Sequence, residues 1–359
     1  MSDMIHPGAW IAWLLASLVA LSATRNPLYL LLALLGIGGV GVTLRPRSKA
    51  PPLPVSPLRL GLLMVVLSAL FNALTSHFGE TVLFRLPAGW PLIGGPITLE
   101  ALVFGALNGL VLAGFLAAFA VLNMALPTHA LVRLLPAAFY PAAVVITIAV
   151  AFVPTTLQQF HQVREAQLVR GHRVRGLRDW LPLFMPLFVG GLERAFQLAE
   201  AMTARGFGGE SVRPDGSTGR ARIPPWLVRL LLLLGLAAIL TGLLSRLLWH
   251  LETVGMGFMV AGGAVVVAAL WLAGRRVKRT TYRPQPWRAR DGLVVAGAAV
   301  VLAAYLGPLP ALYQAALSYS PYPLLSRPSF APLLGLATLG LLAPALWLMR
   351  QPLPSATPG

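Results

Sequence analysis

Long apolar runs recur along this chain, at residues 9–24, 27–44, 58–76, 98–124, 134–155, 225–248, 255–274, 291–310 and 329–349. A helix needs ~20 apolar residues to cross the hydrocarbon core of a bilayer. Backbone groups in lipid must pair internally, so only helices and closed barrels span it, and these runs are too long and too continuous for barrel strands. The chain reads as an all-α, polytopic helical membrane protein. Composition agrees: only 11% of the 359 residues are charged, where soluble domains carry about 25%. No basic residue precedes the first run, which is expected to be a retained first helix rather than a secretory signal. With no cysteine, disulfides, thiolate chemistry and Cys-based metal sites are excluded.

The formal net charge of +17 could suggest a nucleic-acid partner. Its distribution argues otherwise, because the basic residues sit between apolar runs, as the positive-inside rule expects of cytoplasmic loops. "RPRSKAPPLPVSPLR" (Arg45 to Arg59) is basic and Pro-rich, and Arg275 to Arg290 holds seven basic residues and no acid. Arg164 to Arg222 holds ten arginines and six of the eleven acids. If all three face the cytosol and the N-terminus starts there, the first four segments return the chain to the inside. A fifth crossing at 134–155 would strand the later basic stretches outside. That segment, flanked by Pro136, Pro141 and Pro154, is therefore expected to lie along the membrane surface or dip into it. About eight spans result, with both termini cytosolic in the cell membrane. The expected divisions are 1–133, N-terminal transmembrane helices; 134–222, a cytosolic helical module; 223–274, an additional hairpin; and 275–359, a basic loop and C-terminal helices.

The polar stretch repeats itself. "EAQLVRG" from Glu165 returns thirty-five residues later as "EAMTARG" from Glu200. Glycine just past the last turn of a helix closes it in the left-handed conformation, and a cation in that turn meets the negative end of the helix dipole. Val169-Arg170-Gly171 and Ala204-Arg205-Gly206 are thus expected to end two helices, each with an arginine at its tip. Glu165, Ala166 and Gln167 support the first tip, and Glu200 and Ala201 the second. The small alanines 166, 201 and 204 leave room for another surface to approach. Paired equal tips suggest paired sockets, as a dimeric partner would offer.

On these residues the chain resembles the T component of energy-coupling factor transporters, the family of CbiQ-type cobalt-transport permeases. The resemblance rests first on "AFVPTTLQQFHQVREAQLVRGHR" and "FVGGLERAFQLAEAMTARGFGG". "HPGAWIAWLLASLVALSATRNPLYLLLALL", with Asn26-Pro27 in its turn, resembles the opening helices, "ITLEALVFGALNGL" the fourth helix, and "RTTYRPQPWRARDG" the segment after the second motif. The resemblance implies that 134–222 is a coupling module, whose two motifs dock onto two ATP-binding ABC ATPase subunits. It further implies a substrate-specific membrane S component, with a vitamin or a cobalt or nickel ion as cargo. Arg170 and Arg205 would make the docking contacts, and ATP and Mg would belong to the ATPases, with no cofactor on this chain. Departures are Val169 where alanine is common, the hairpin within 210–274, and an extra last helix at 329–349.

The remaining polar residues say less. Neither lysine, Lys49 or Lys278, completes a phosphate-binding G-x-x-x-x-G-K-[ST] loop, so any ATPase must be another chain. The six histidines lack metal-site spacing. Glu100 lies about a turn inside its run, where an intramembrane role and a helix-start role are both open. Gly105 and Gly109 form a G-x-x-x-G pair that serves either packing within the chain or contact with the substrate subunit; Asn108 and Asn123 could join helices. "GIGGVG" (Gly36 to Gly41) is a weaker candidate of the same kind. The rival readings are a self-contained secondary transporter, for which midplane ionisable groups are nearly lacking, and a membrane-embedded enzyme, for which no converging catalytic set is visible.

Overall fold

The computed structural model describes residues 5–47, 56–76, 78–85, 95–132, 134, 139–171, 176–207, 224–249, 252–274, 286–306, 314–323 and 325–350. Its elements are α1 (Pro7–Ala23), α2 (Pro27–Leu44), α3 (Pro57–Thr75), β1 (Val82–Arg85), β2 (Pro96–Thr98), α4 (Leu99–Ala125), α5 (Thr128–Val132), α6 (Tyr140–Val169), α7 (Leu181–Ala204), α8 (Pro225–Trp249), α9 (Glu252–Gly274) and α10 (Ala289–Leu306), then a broken helix over Pro332–Met349. Helices α1, α2 and α3 start alike, with a capping side chain (His6, Asn26, Ser56) followed by proline in the first turn. The antiparallel ribbon of β1 with β2 was not legible as strand in a sequence dominated by apolar helix.

Among the described residues, eight helices are long and apolar enough to cross a bilayer: α2, α3, α4, α6 from Ala142, the apolar parts of α8 and α9, α10, and Pro332–Met349. The sequence also gave about eight, but a different set. At 17 residues α1 is slightly shorter than these, and α6 meets the measure by length and composition alone. The apolar segment expected to lie along the membrane or dip into it does not end near residue 155 but continues as one 30-residue helix, apolar at first and polar later, running through Pro154. Proline inside a membrane helix is tolerated where nearby hydroxyls take up freed carbonyls. Here Pro154 frees the Val150 carbonyl, and beside it Thr155 Oγ1 donates to the Phe152 carbonyl at 2.8 Å.

The chain forms two compact units, Met1–Leu134 with Tyr282–Gly359, and Leu135–Thr281. In the first, α4 runs antiparallel to α3, with Gly105 facing Ser68, Ala69 and Asn72, and Gly109 facing Val65. α1 packs on α10 and α4, and α2 on α4 and the C-terminal helix. Trp13, Leu21, Tyr29, Leu30, Ile37 and Leu341 form the fully buried centre.

Polar bonds stitch this apolar core across large sequence distances. Asn26 Nδ2 donates to the Ala316 and Ser329 carbonyls, both at 2.8 Å, while its Oδ1 caps α2 through Leu28 N at 3.0 Å. Tyr29 Oη accepts from Ala331 N at 2.7 Å, and Trp13 Nε1 donates to the Leu341 carbonyl at 2.8 Å. The last helix is therefore part of the core, not an appendage. It breaks at Leu339–Leu342 because Pro344 has no N–H for the Gly340 carbonyl. Asn26→Leu removes three bonds at once. It should cost about 3 kcal/mol, read as a fall in the unfolding midpoint of the purified protein, with Asn26→Asp recovering only the cap.

At the opposite end, Asp291 gathers the start of the chain. Its Oδ1 accepts from His6 N at 2.7 Å and its Oδ2 from Arg288 N at 2.9 Å. His6 stacks on Trp287 at 4.4 Å, and Arg290 lies 5.0 Å over the Trp347 ring. The starts of α1 and α10 and the end of the last helix thus lie together.

In the second unit, α8 and α9 form a tight hairpin. Gly242 and Gly255 face each other so closely that a Cβ on either would sit 2.7–2.8 Å from the other's carbonyl oxygen, and Gly235 and Gly262 repeat the contact seven residues away. Small residues let membrane helices approach to this distance.

Candidate functional site: two arginine-tipped helices

The repeated motif folds into two copies of one backbone. Arg170 ends α6 at φ −77°, ψ 5°, and Arg205 ends α7 at φ −87°, ψ 6°. Gly171 follows at φ +78° and Gly206 at φ +77°. A Cβ at either glycine would meet nothing within 4 Å. Glycine is therefore required by the left-handed conformation, which costs other residues about 1–2 kcal/mol, and not by lack of space. Gly171 N donates to the Leu168 carbonyl at 3.0 Å and Gly206 N to that of Thr203 at 2.9 Å. Phe207 N adds a bond to the Met202 carbonyl at 2.9 Å, completing the Schellman closure of α7.

Both tips are open. Arg170, Gly171, Ala204, Arg205 and Gly206 are exposed, and Val169 reaches 90% exposure, a high value for an aliphatic side chain. Neither guanidinium has a hydrogen bond or ion pair among the described residues. Glu165, Ala166, Glu200 and Ala201 are exposed beside them, and Gln167 is half-buried. Residues 172–175 and 208–223, which follow the tips, lie outside the described residues, as do the basic stretch 275–285 and both lysines.

Upstream, α6 and α7 meet at a polar crossing absent from the sequence reading. Arg194 Nη2 donates to Gln159 Oε1, and its Nε to the Gly190 carbonyl at 3.1 Å. Thr155, Gln158, Gln159 and Gln162 of α6 and Gly190, Glu193, Arg194 and Gln197 of α7 line a cleft of about 490 Å³ there. Phe160, Trp180 and Phe184 stack beside it. The signal that would have found this crossing was the thirty-five-residue repeat, extended upstream of Glu165.

α7 also carries an apolar stripe, Leu181, Phe184, Met185, Phe188, Leu192 and Phe196, at helical spacing, from 48% to 71% exposed. α7 is not among the helices apolar enough to cross a bilayer.

The residues singled out on α4 lie elsewhere, in the first unit. Gly105 and Gly109 are buried, and their faces are filled by α3: a Cβ on Gly105 would lie 2.6 Å from the Ser68 carbonyl oxygen, and one on Gly109 2.6 Å from Val65 Cα. Ser68 Oγ donates to the Gly105 carbonyl at 2.8 Å. Glu100 is fully buried and accepts from Thr81 N at 3.1 and 3.3 Å, fastening the preceding segment to the start of α4. Asn108 is half-buried. Among the described residues, no three His, Cys, Asp or Glu side chains converge as a metal cluster would require.

The two helices α6 and α7 thus end in matched, exposed arginine tips. Comparison with known proteins gives the class. The family model described as cobalt transport protein (CbiQ) matches residues 3–215, and the chain belongs to that family. It is similar to the energy-coupling factor transporter transmembrane protein EcfT of Brevibacillus brevis, 37% identical over 87 residues, 23% of this chain and 30% of that protein. The EcfT of Acidaminococcus fermentans is 33% identical over 115 residues, 30% and 38% of the two chains. That of Bacillus subtilis is 37% identical over 78 residues, 19% and 28%. The chain thus spans about a third of the length of the curated relatives it matches.

Proposed function

We propose that this chain is the transmembrane coupling component of an energy-coupling factor importer. The observation that carries the reading is the pair of exposed arginine tips, each followed by a left-handed glycine, in a chain of the CbiQ family. Arg170 and Arg205 each enter a groove on one of two ABC ATPases and bond a carboxylate or helix-end carbonyls there. ATP and Mg stay with the ATPases, whose closure moves α6 and α7. That motion passes through the membrane helices to a substrate-binding membrane subunit carrying a vitamin or a transition-metal ion such as cobalt or nickel. Because α3 fills the Gly105–Gly109 face, the exposed stripe of α7 is the better surface for that subunit.

Orientation follows from charge. The end of the first unit that gathers His6, Asp291 and Trp347 also carries Arg45, Arg47, Arg59, Arg288, Arg290 and Arg350. The other end carries Arg25, Arg85 and Arg327 with Glu80 and Glu100. By the positive-inside rule the first end, with both termini, faces the cytosol.

Reconstitution tests the reading against a self-contained carrier. Liposomes holding this chain alone should show no uptake of vitamin or cobalt above background. Liposomes that also hold its ATPases and substrate subunit should accumulate cargo when ATP is supplied. Uptake by the lone chain would overturn the proposal.

A further inference from the structure

The residues at the crossing of α6 and α7 obey the repeat. Adding thirty-five to Thr155, Gln158, Gln159 and Gln162 gives Gly190, Glu193, Arg194 and Gln197, the other four residues of the same cleft. The hydrogen bond between the helices joins Gln159 to Arg194, a separation of 35, so each is the other's counterpart. Glu165 with Glu200, Arg170 with Arg205 and Gly171 with Gly206 continue the register to the tips.

A contact between equivalent positions has a geometric meaning. When one patch meets its own counterpart, the two are related by a two-fold axis, and a residue touching its own equivalent lies on that axis. We infer that Gln159 and Arg194 are the axle of a local pseudo-two-fold relating α6 to α7, and that this polar pair sets how the two tips are presented to the ATPases. A two-fold that carries α6 onto α7 must bisect their directions. Points equally far beyond the crossing are then equidistant from the axis and displaced the same way along it. Arg170 follows Gln159 by eleven residues, and Arg205 follows Arg194 by eleven. Each arm is therefore about 16 Å long, and eleven residues are close to three helical turns, so axle and tip share a face of their helix. The inference rests on the docking role proposed above for the tips, but the axle itself is a property of this chain alone.

The pair is suited to a pivot. The guanidinium–carboxamide bond fixes the point at which the two helices cross, so that a motion driven at the tips becomes a turn about that point. The symmetry is broken where the side chains need room. Gly190 stands where the register has Thr155, and a Cβ at 190 would collide with the Gln159 carboxamide.

The chain has no cysteine, so two introduced labels are unambiguous. Spin labels at Leu168→Cys and Thr203→Cys, an exposed equivalent pair, report tip separation in the purified full chain by double electron–electron resonance. The unaltered axle should give one narrow distance distribution. Arg194→Leu should broaden it or move it by more than about 5 Å, a third of an arm. The exchange of Gln159→Arg with Arg194→Gln, made together with Thr155→Gly and Gly190→Thr so that the room for the carboxamide moves with it, should restore it, because a bond on a two-fold axis is then indifferent to which side supplies which partner. In reconstituted complexes Arg194→Leu should still bring down the ATPases but lower cargo moved per ATP at least fivefold. An unchanged distribution in Arg194→Leu, or an exchange variant as broad as the single one, overturns the axle. Failure of the unaltered chain to bind ATPases overturns the docking role and leaves the distance result standing.

Discussion

Arg170→Glu combined with Arg205→Glu should release the ATPases. Each charge-assisted contact is worth about 1.5–3 kcal/mol, so losing both should weaken association roughly 10²–10⁴-fold, and reversing the charges adds repulsion against any acceptor carboxylate. The fold should survive. Both side chains are exposed and lack partners among the described residues, and the glycines that close the helices are untouched. Tagged ATPases should therefore fail to recover the double variant from detergent extracts, while its expression and unfolding midpoint match the parent. Each single variant should fall between, because the tips have the same backbone and the same exposure. Undiminished recovery of the double variant would show that the tips are ordinary helix ends.

Gly105→Leu should do the reverse, crippling the fold rather than the assembly. The new side chain would start 2.6 Å from the Ser68 carbonyl oxygen and 2.8 Å from Ala69 Cα, backbone that cannot move aside without parting α3 from α4. Overpacking costs about 1–3 kcal/mol where side chains can yield; here the obstacle is main chain, and about 3 kcal/mol or more is expected. Gly38→Leu is the control, since a Cβ there meets nothing within 4 Å. The measurement is the unfolding midpoint of the purified protein, with surface expression as a second readout. If Gly105→Leu leaves stability unchanged and removes only the substrate subunit, the glycine pair is a docking face after all.

The two predictions mark what the sequence could and could not convey. Arginine followed by glycine has a local cause and a local effect, so the tips were readable from spacing alone and emerged with matching dihedrals. Apolar length likewise gave the class of fold and most helix bounds. One error came from a local reading overruled by context. Pro154 looked like a boundary, yet α6 runs through it. The G-x-x-x-G pair is two-sided information, because small residues advertise a close approach without naming the partner, and only the packing of α3 names it. The ribbon Val82–Arg85 with Pro96–Thr98 was invisible because its pairing depends on a register no single short strand carries. The polar crossing was within reach. Gln159 and Arg194 are each unremarkable on a solvated helix, and only the thirty-five-residue offset brings them together.

The bond from His6 to Asp291 spans 285 residues of chain. The opening helix is thus threaded into the bilayer long before the ribosome has made the segments that seal it, and Tyr29 and Asn26 wait longer still for Ala331 and Ser329. During that interval Asn26 and the Trp13 indole must be sheltered by lipid headgroups, by water or by the insertion machinery. Final closure is a late event in biogenesis, and premature termination anywhere before the last helix would leave the earliest-made residues without their permanent neighbours.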